Sequence, residues 1–125
     1  KLPMQIHFKA TNYEMTPEVE EFANKKLSAI SKFVGTEEQG EAHVYVELGR
    51  ETGAHAHGRV WRSEINFDQD GKRFRATSVQ ESLEDAIDRS IEDLSRELRT
   101  AKTKSESIMR RGGGAVKALL RGFKS

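Results

Sequence analysis

The sequence predicts an α+β fold, a two-layer sandwich in which two helices cover one face of a four-stranded mixed sheet. Two segments place apolar residues at every third or fourth position, which is typical of amphipathic helices. Four others alternate apolar and polar residues, which is typical of strands with one buried face. Their order is β-α-β-β-β-α, and a helix between the first two strands favours a right-handed parallel crossover. Helices and sheet can then bury each other's apolar surfaces.

The N-terminal part of the chain predicts a strand followed by one long helix. Every second residue of MQIHFKAT is apolar. Thr16 is a suitable N-cap, and Pro17 fits the first helical position, where no backbone N–H is needed. The apolar stripe that follows continues to Val34, and Gly35 is the expected C-cap.

Three more strands are predicted, at AHVYVEL, VWRSEINF and RFRATSV. The glycine-rich, polar stretch between the first two of these predicts a loop. Asp70 and Gly71 form a strong turn signal between the last two, which should therefore pair as a hairpin.

The closing helix is expected to begin after Ser82, with an apolar stripe that continues to Ala101. Farther on, a triple glycine should break any helix, and a short basic amphipathic segment follows it. We therefore expect three parts: residues 1–3 as an expression remnant, residues 4–104 as one folded domain, and residues 105–125 as a basic C-terminal tail.

Composition excludes several classes of protein. The 125 residues suffice for one hydrophobic core and include no cysteine, which rules out disulfides and thiolate zinc sites and favours the cytoplasm. Neither a membrane-spanning run nor a signal-peptide pattern is present. We therefore expect a cytoplasmic protein with no membrane partner.

The formal net charge of +1 conceals an uneven distribution along the chain. The first 98 residues carry a formal charge of −6, and the last 27 carry +7. A basic terminal block can be a solvated, disordered segment or a means of binding phosphate backbones. The tail alone does not decide between the two.

Catalysis and metal binding have little support in the sequence. His55 and His57 could both bind a metal, but no further ligands are specified, and solvated loop histidines explain them as well. No nucleophile elbow, P-loop or dinucleotide-binding pattern is present. We expect no catalytic residues, no metal site and no cofactor.

Basic residues on the two helices form the remaining signal. On the closing helix they lie off the apolar stripe and collect towards the C-terminal end, and Lys25 and Lys32 share a sector of the first helix. If the helices lie side by side, these sectors could form one cationic surface that continues into the tail. The plainer alternative is that the cations pair with Glu92, Asp93 and Glu97 on a solvated face.

Three stretches carry a resemblance to a known family: MQIHFKATNYEMTPEVEEFANKKL, DGKRFRA and EDAIDRSIEDLSRELR. From Met4 to about Lys104 the chain resembles the ribosome hibernation factors, also called sigma-54 modulation or ribosome-associated inhibitor proteins. The resemblance implies the same β-α-β-β-β-α fold. It also implies binding between the head and body of the small ribosomal subunit, where such a protein occupies the mRNA and tRNA path and inhibits translation without catalysis.

The resemblance also assigns candidate contacts to ribosomal RNA. Lys26, Arg96 and Lys102 match basic positions that face this RNA in the family, and their basic neighbours are candidates for the same role. Four positions depart from the usual pattern: Ala29 and Asp93 replace lysines, Glu84 a tyrosine and Glu97 a glutamine. We hypothesise that the tail restores attraction lost there. The full set of predicted RNA contacts is Lys25, Lys26, Lys32, Arg89, Arg96, Arg99, Lys102, Arg110, Arg111, Lys117, Arg121 and Lys124.

Two alternatives remain open at this point. One is a protein-interaction regulator of the same fold that contacts its partner through Asp85, Asp88, Glu92 and Asp93; the other is a general binder of structured RNA. The chain is too short for the dimerisation domain of the family's long forms, so we expect a monomer. Tyr45 and Trp61 could stack on bases, but packing explains them better.

Overall fold

A computed structural model describes residues 4–35, 39–51 and 59–110. The fold is α+β with the predicted order of elements. These are β1 (Met4–Thr11), α1 (Pro17–Leu27), a 3-10 helix (Ser28–Phe33), β2 (Ala42–Arg50), β3 (Trp61–Gln69), β4 (Lys72–Gln80) and α2 (Leu83–Arg110).

The four strands form one sheet in the order β1-β2-β3-β4, parallel between β1 and β2 and antiparallel elsewhere. The register aligns Phe8, Val46, Ile65 and Ala76 in one row across the sheet. A shift of one residue would turn such a row to the solvent side, so burial of this face specifies the register.

The core lies between this face and the helices. Leu27 of α1 and Leu94 of α2 are completely buried in it. A polar contact joins the sheet to α2 within the core: Ser63 Oγ of β3 lies 2.8 Å from Ser90 Oγ of α2, which donates to the Ile87 carbonyl at 3.0 Å. Because buried hydroxyls need partners, this contact favours one placement of α2 on β3.

Both predicted N-caps and the predicted hairpin are confirmed. Thr16 Oγ1 accepts from the Val19 amide at 3.2 Å, and Ser82 Oγ accepts from an α2 amide at 3.1 Å. Asp70 and Gly71 connect β3 to β4 with φ of 55° and 78°. Two consecutive positive φ values are typical of a type I′ turn, which matches the twist of the paired strands.

The prediction of one long first helix capped by Gly35 is wrong. The α-helix ends at Leu27, and a 3-10 helix continues to Phe33. Ser28 donates to the Lys25 carbonyl at 2.6 Å, and Ser31 to the Ser28 carbonyl at 2.7 Å, so serine hydroxyls compete with the α-helical pattern. The 3-10 segment is capped at Val34 instead.

The closing helix is longer than its apolar stripe predicted. It has 28 residues and ends at Arg110, beyond residue 105, where the sequence predicts the start of the tail. No glycine or proline interrupts residues 101–110, so the helical hydrogen bonding can continue. Residues 102–106 are exposed. The triple glycine and residues 1–3 lie outside the described residues.

Candidate nucleic-acid interface

The two helices contact each other through one of the predicted RNA contacts. Lys26 Nζ of α1 lies 3.3 Å from Asp88 Oδ1 of α2, with both side chains nearly half exposed. The same ammonium lies 5.5 Å from the centroid of the Phe22 ring. The helices therefore lie side by side, as the cationic-surface hypothesis requires, but a carboxylate partly neutralises Lys26.

Two more predicted contacts share a single carboxylate on the exposed side of α2. Arg89 Nε and Arg96 Nη1 lie 3.3 and 3.1 Å from the same Asp93 oxygen. Arg96 also approaches Glu92 at 3.8 Å. Asp93 therefore occupies both arginines. We call the following residues the paired cluster: Lys26, Arg89, Arg96, Asp88, Glu92 and Asp93.

Farther along α2 the cations surround an aromatic ring. Lys32 Nζ of the 3-10 helix lies 5.3 Å from the centroid of the Phe33 ring, and Arg99 Cζ of α2 lies 5.9 Å from it. Both distances are within the range of cation–π attraction. Lys102, one turn later, lines the groove beside this ring.

Lys72 joins these residues, although it is not among the predicted RNA contacts. It is the first residue of β4, directly after the hairpin turn, and lines the same groove as Lys32 and Lys102. In the sequence, Lys72 is notable only as part of the DGKRFRA stretch. Its distance from the helices depends on how they pack on the sheet, which the sequence does not show. We call the following residues the unpaired cluster: Lys32, Lys72, Arg99 and Lys102. Within the part of the chain that the structure describes, none of them forms an ion pair.

The groove is bounded by the 3-10 helix, the β3–β4 hairpin and the C-terminal half of α2, and encloses about 270 Å³. Glu106 supplies a carboxylate at its margin. Its apolar lining consists of Phe33, Val34, Phe67, Phe74, Leu98 and Ala101. An apolar floor with cations around it is suited to ligands that combine a flat apolar group with negative charge.

The other predicted contacts are distributed differently. Lys25 is exposed on α1 and, among the described residues, belongs to neither cluster and forms no ion pair. Arg110 is exposed as the last residue of α2. Arg111, Lys117, Arg121 and Lys124 lie outside the described residues, as do the loop histidines His55 and His57.

The opposite face of the sheet has a different character. His7 Nε2 lies 3.2 Å from His43 Nδ1, and the His7 ring stacks on Tyr45 with centroids 4.9 Å apart. Tyr45 is 47% exposed. Trp61 does not belong to this face: it packs against the hydrophobic core and lies edge-on to Tyr13, with ring centroids 5.3 Å apart.

Acidic and basic groups are interleaved on this outer face, with Glu64 at their centre. Hydrogen bonds from Asn66 and Arg62, at 3.1 and 2.6 Å, lower the pKa of the Glu64 carboxyl despite its partial burial. Arg75 Nε lies 3.8 Å from the same group. The mixed charges make this face a poor phosphate-binding surface compared with the unpaired cluster.

Within the described ranges, no three histidine or acidic side chains converge in a way that could hold a metal ion. No helix there has the length and apolar character needed to cross a bilayer.

The chain is similar to proteins of known family and structure. Residues 5–106 match the family described as sigma 54 modulation protein / S30EA ribosomal protein. The crystal structure of the N-terminal domain of Thermus thermophilus Protein Y is 24% identical with a TM-score of 0.64, over 78% of this chain and 98% of that one. A ribosomal subunit interface protein from Coxiella burnetii is 16% identical with a TM-score of 0.59, over 80% and 99%. At these identities the two structures support the fold.

Proposed function

Because the chain belongs to the sigma 54 modulation protein / S30EA ribosomal protein family, we propose that it is a ribosome hibernation factor that binds the small ribosomal subunit. In this proposal it lies between the head and body of the subunit, where it occupies the path of mRNA and tRNA. Translation then stops because the site is blocked, with no chemical step. Ribosomal RNA of the small subunit is the partner, in the cytoplasm, and the protein acts as a monomer.

The observation that carries the proposal is the unpaired cluster. Its four cations come from the 3-10 helix, β4 and α2, and they meet at one end of the molecule without a carboxylate partner among the described residues. Free cations release counterions from RNA when they contact phosphates, which gives affinity without reading sequence. Specificity would come from the shape of the RNA cleft.

The helix extension supports a contribution from the tail. Since α2 continues to Arg110, this last residue of the helix lies about 12 Å along the helix axis from Lys102. Arg110, Arg111, Lys117, Arg121 and Lys124 would add phosphate contacts beyond those of the folded domain. In the same proposal Lys25, Lys26, Arg89 and Arg96 are weaker contacts, because three of these four are paired with carboxylates.

The proposal is tested by sedimenting the protein with purified small subunits through a sucrose gradient at about 0.1 M salt. We expect co-sedimentation and inhibition of translation in a reconstituted extract. A chain truncated after Arg110 should bind more weakly and with a shallower dependence on salt, because it lacks four basic residues of the tail. Absence of the full chain from the small-subunit fraction would refute the proposal.

The alternatives are less well supported. Three of the four carboxylates proposed for a protein partner, Asp88, Glu92 and Asp93, are already in ion pairs with the chain's own cations. A general RNA binder would bind naked duplex RNA as well as small subunits. A gel-shift competition with duplex RNA separates that function from the proposed one.

A further inference from the structure

We propose that the groove beside the unpaired cluster holds one unpaired nucleotide of an RNA strand. The base would lie against the aromatic rings of the groove, and the phosphates on either side of it would contact the surrounding lysines. The inference deepens the proposed function, since it names the part of the RNA that this surface recognises. Binding of a nucleotide by the groove can nevertheless be tested separately from binding to the ribosome.

The rings of Phe33 and Phe74 are suited to stacking. Both are half-buried and line the groove. Packing against the core therefore fixes the position of each ring, while part of the ring remains exposed to a ligand. Phe74 is held against Phe67 with centroids 6.3 Å apart. Single-stranded RNA is commonly bound by such combinations, because every base has an apolar face and every linkage a negative charge.

The three walls of the groove each supply a lysine. Lys32 comes from the 3-10 helix, Lys72 from the start of β4 and Lys102 from α2. Cations placed around an apolar floor can contact the phosphates before and after the inserted base. Glu106 is the carboxylate on this lining, so positive charge predominates among the described residues of the groove.

The size of the groove selects an unpaired base. Its volume of about 270 Å³ is near the lower end of small-ligand pockets, which begin at roughly 300 Å³. A single base is compatible with that volume, whereas a base pair within a duplex is not free to enter. Bases in RNA loops, bulges and ends are unstacked and can be inserted in this way.

The experiment measures binding of a fluorescent oligouridine of about ten nucleotides by anisotropy over a range of salt concentrations. Lys72→Ala removes an exposed cation of the groove, and Phe33→Leu keeps apolar volume but removes the ring. Lys9→Ala is the matched control, because Lys9 is exposed on the outer face of β1 and, among the described residues, has no ion pair.

We expect Lys72→Ala to weaken binding several-fold and to reduce the salt slope by about 0.7. Phe33→Leu should weaken binding by roughly tenfold with little change in slope, because it removes stacking and keeps the charge. Lys9→Ala should bind like the unaltered protein. If Lys72→Ala and Phe33→Leu both bind like Lys9→Ala, the inference is overturned. Lys72→Ala decides the matter alone if thermal melting shows that the Phe33 variant is unfolded.

Sedimentation with small subunits separates this inference from the proposed function. In one outcome the groove variants lose oligouridine binding, but the unaltered protein does not bind small subunits. That result would support the groove as a nucleotide site and refute the hibernation proposal. In the other outcome the protein binds small subunits, but neither groove substitution changes oligouridine binding. That result would refute the inference that the groove holds a nucleotide. Equal competition by duplex RNA and oligouridine would also refute it.

Discussion

The two halves of α2 both present cations to solvent, yet they differ in what surrounds those cations. In the first half Arg89 and Arg96 converge on Asp93, and Asp88 receives Lys26 from α1. In the second half Arg99 and Lys102 form no ion pair with any of the described residues. The number of basic residues on a helix therefore does not predict a phosphate-binding surface. What separates the two halves is whether a carboxylate is in contact with the cation: Glu106 is four positions from Lys102, yet the two form no ion pair.

The ion pairs of the paired cluster are weak. Asp93 is 28% exposed and its arginines are about twice as exposed, so each pair contributes between about 0 and 1 kcal/mol. In the proposed function an RNA phosphate would replace the carboxylate, and the ion pair lost would offset part of the new interaction. The unpaired cluster has no such cost.

The largest expected effect comes from removing the three predicted cations of the unpaired cluster. We expect Lys32→Ala, Arg99→Ala and Lys102→Ala together to weaken small-subunit binding on the order of 100- to 1000-fold at 0.1 M salt, since each phosphate contact contributes about tenfold there. The salt slope should fall by about two to three. Binding is measured by sedimentation over a salt series.

The matched control removes equal charge from the paired cluster: Lys26→Ala, Arg89→Ala and Arg96→Ala. We expect a loss of about tenfold, because these cations already interact with carboxylates. Equal losses in the two triple variants would show that the ion pairs do not matter for binding.

A gain of affinity is expected when Asp93 is replaced by asparagine. Arg89 and Arg96 then lose their shared carboxylate and become available to phosphates, which should strengthen small-subunit binding about threefold to tenfold and steepen the salt slope. Asp85→Asn is the control, because it removes the same charge from an exposed position that, among the described residues, has no ion pair. Asp93→Asn should exceed it; an equal gain would mean that net charge alone is responsible.

Glu64 on the outer sheet face should affect stability and not binding. We expect Glu64→Gln to lower the free energy of unfolding at pH 7 by about 1 kcal/mol and to leave small-subunit affinity unchanged. The pKa of the Glu64 carboxyl is lowered in the fold, so its contribution is present above the ordinary glutamate pKa and is lost as pH falls through the folded-state pKa. Urea unfolding of both proteins at pH 7 and about pH 3 should therefore show a difference that narrows in acid. A difference that stays constant would contradict this origin.

The smallest effect is expected for the pair that joins the helices. A double-mutant cycle with Lys26→Met and Asp88→Asn should give a coupling free energy of about 0.5 kcal/mol in urea unfolding, because both side chains are nearly half exposed. Methionine preserves the apolar contact with Phe22. The coupling should decrease in 1 M salt. A value above about 2 kcal/mol would indicate that the pair is far less solvated than its exposure shows.

Local patterns predicted most of the fold. The alternation in each strand, the caps at Thr16 and Ser82 and the turn at Asp70 and Gly71 all depend on neighbouring residues, so they could be read from the chain. The end of α1 could not, because an apolar stripe with helical spacing continues through the 3-10 segment. Its serines decide the hydrogen-bond pattern there, and their hydroxyls are equally compatible with exposed helix positions.

The candidate site was predicted less completely, and Lys72 shows why. It is 30 residues from Lys102 and 40 from Lys32 in the chain, and no periodicity connects a residue at a hairpin turn with two helices. The sharing of Asp93 by two arginines is closer to a local property, since spacings of three and four on a helix permit it. Which carboxylate each arginine contacts is a matter of side-chain geometry.

The sequence by itself determined the four strands, the starts of both helices, the order of these elements, their buried faces and the family, because these follow from periodicity, capping and motifs along the chain. Tertiary packing decided which cations meet. It brought the 3-10 helix, the β3–β4 hairpin and the end of α2 to one groove, and it placed Asp88 against Lys26. The physical reason is that hydrophobic burial orients whole elements without regard to their exposed charges, so the charged surface is a consequence of packing.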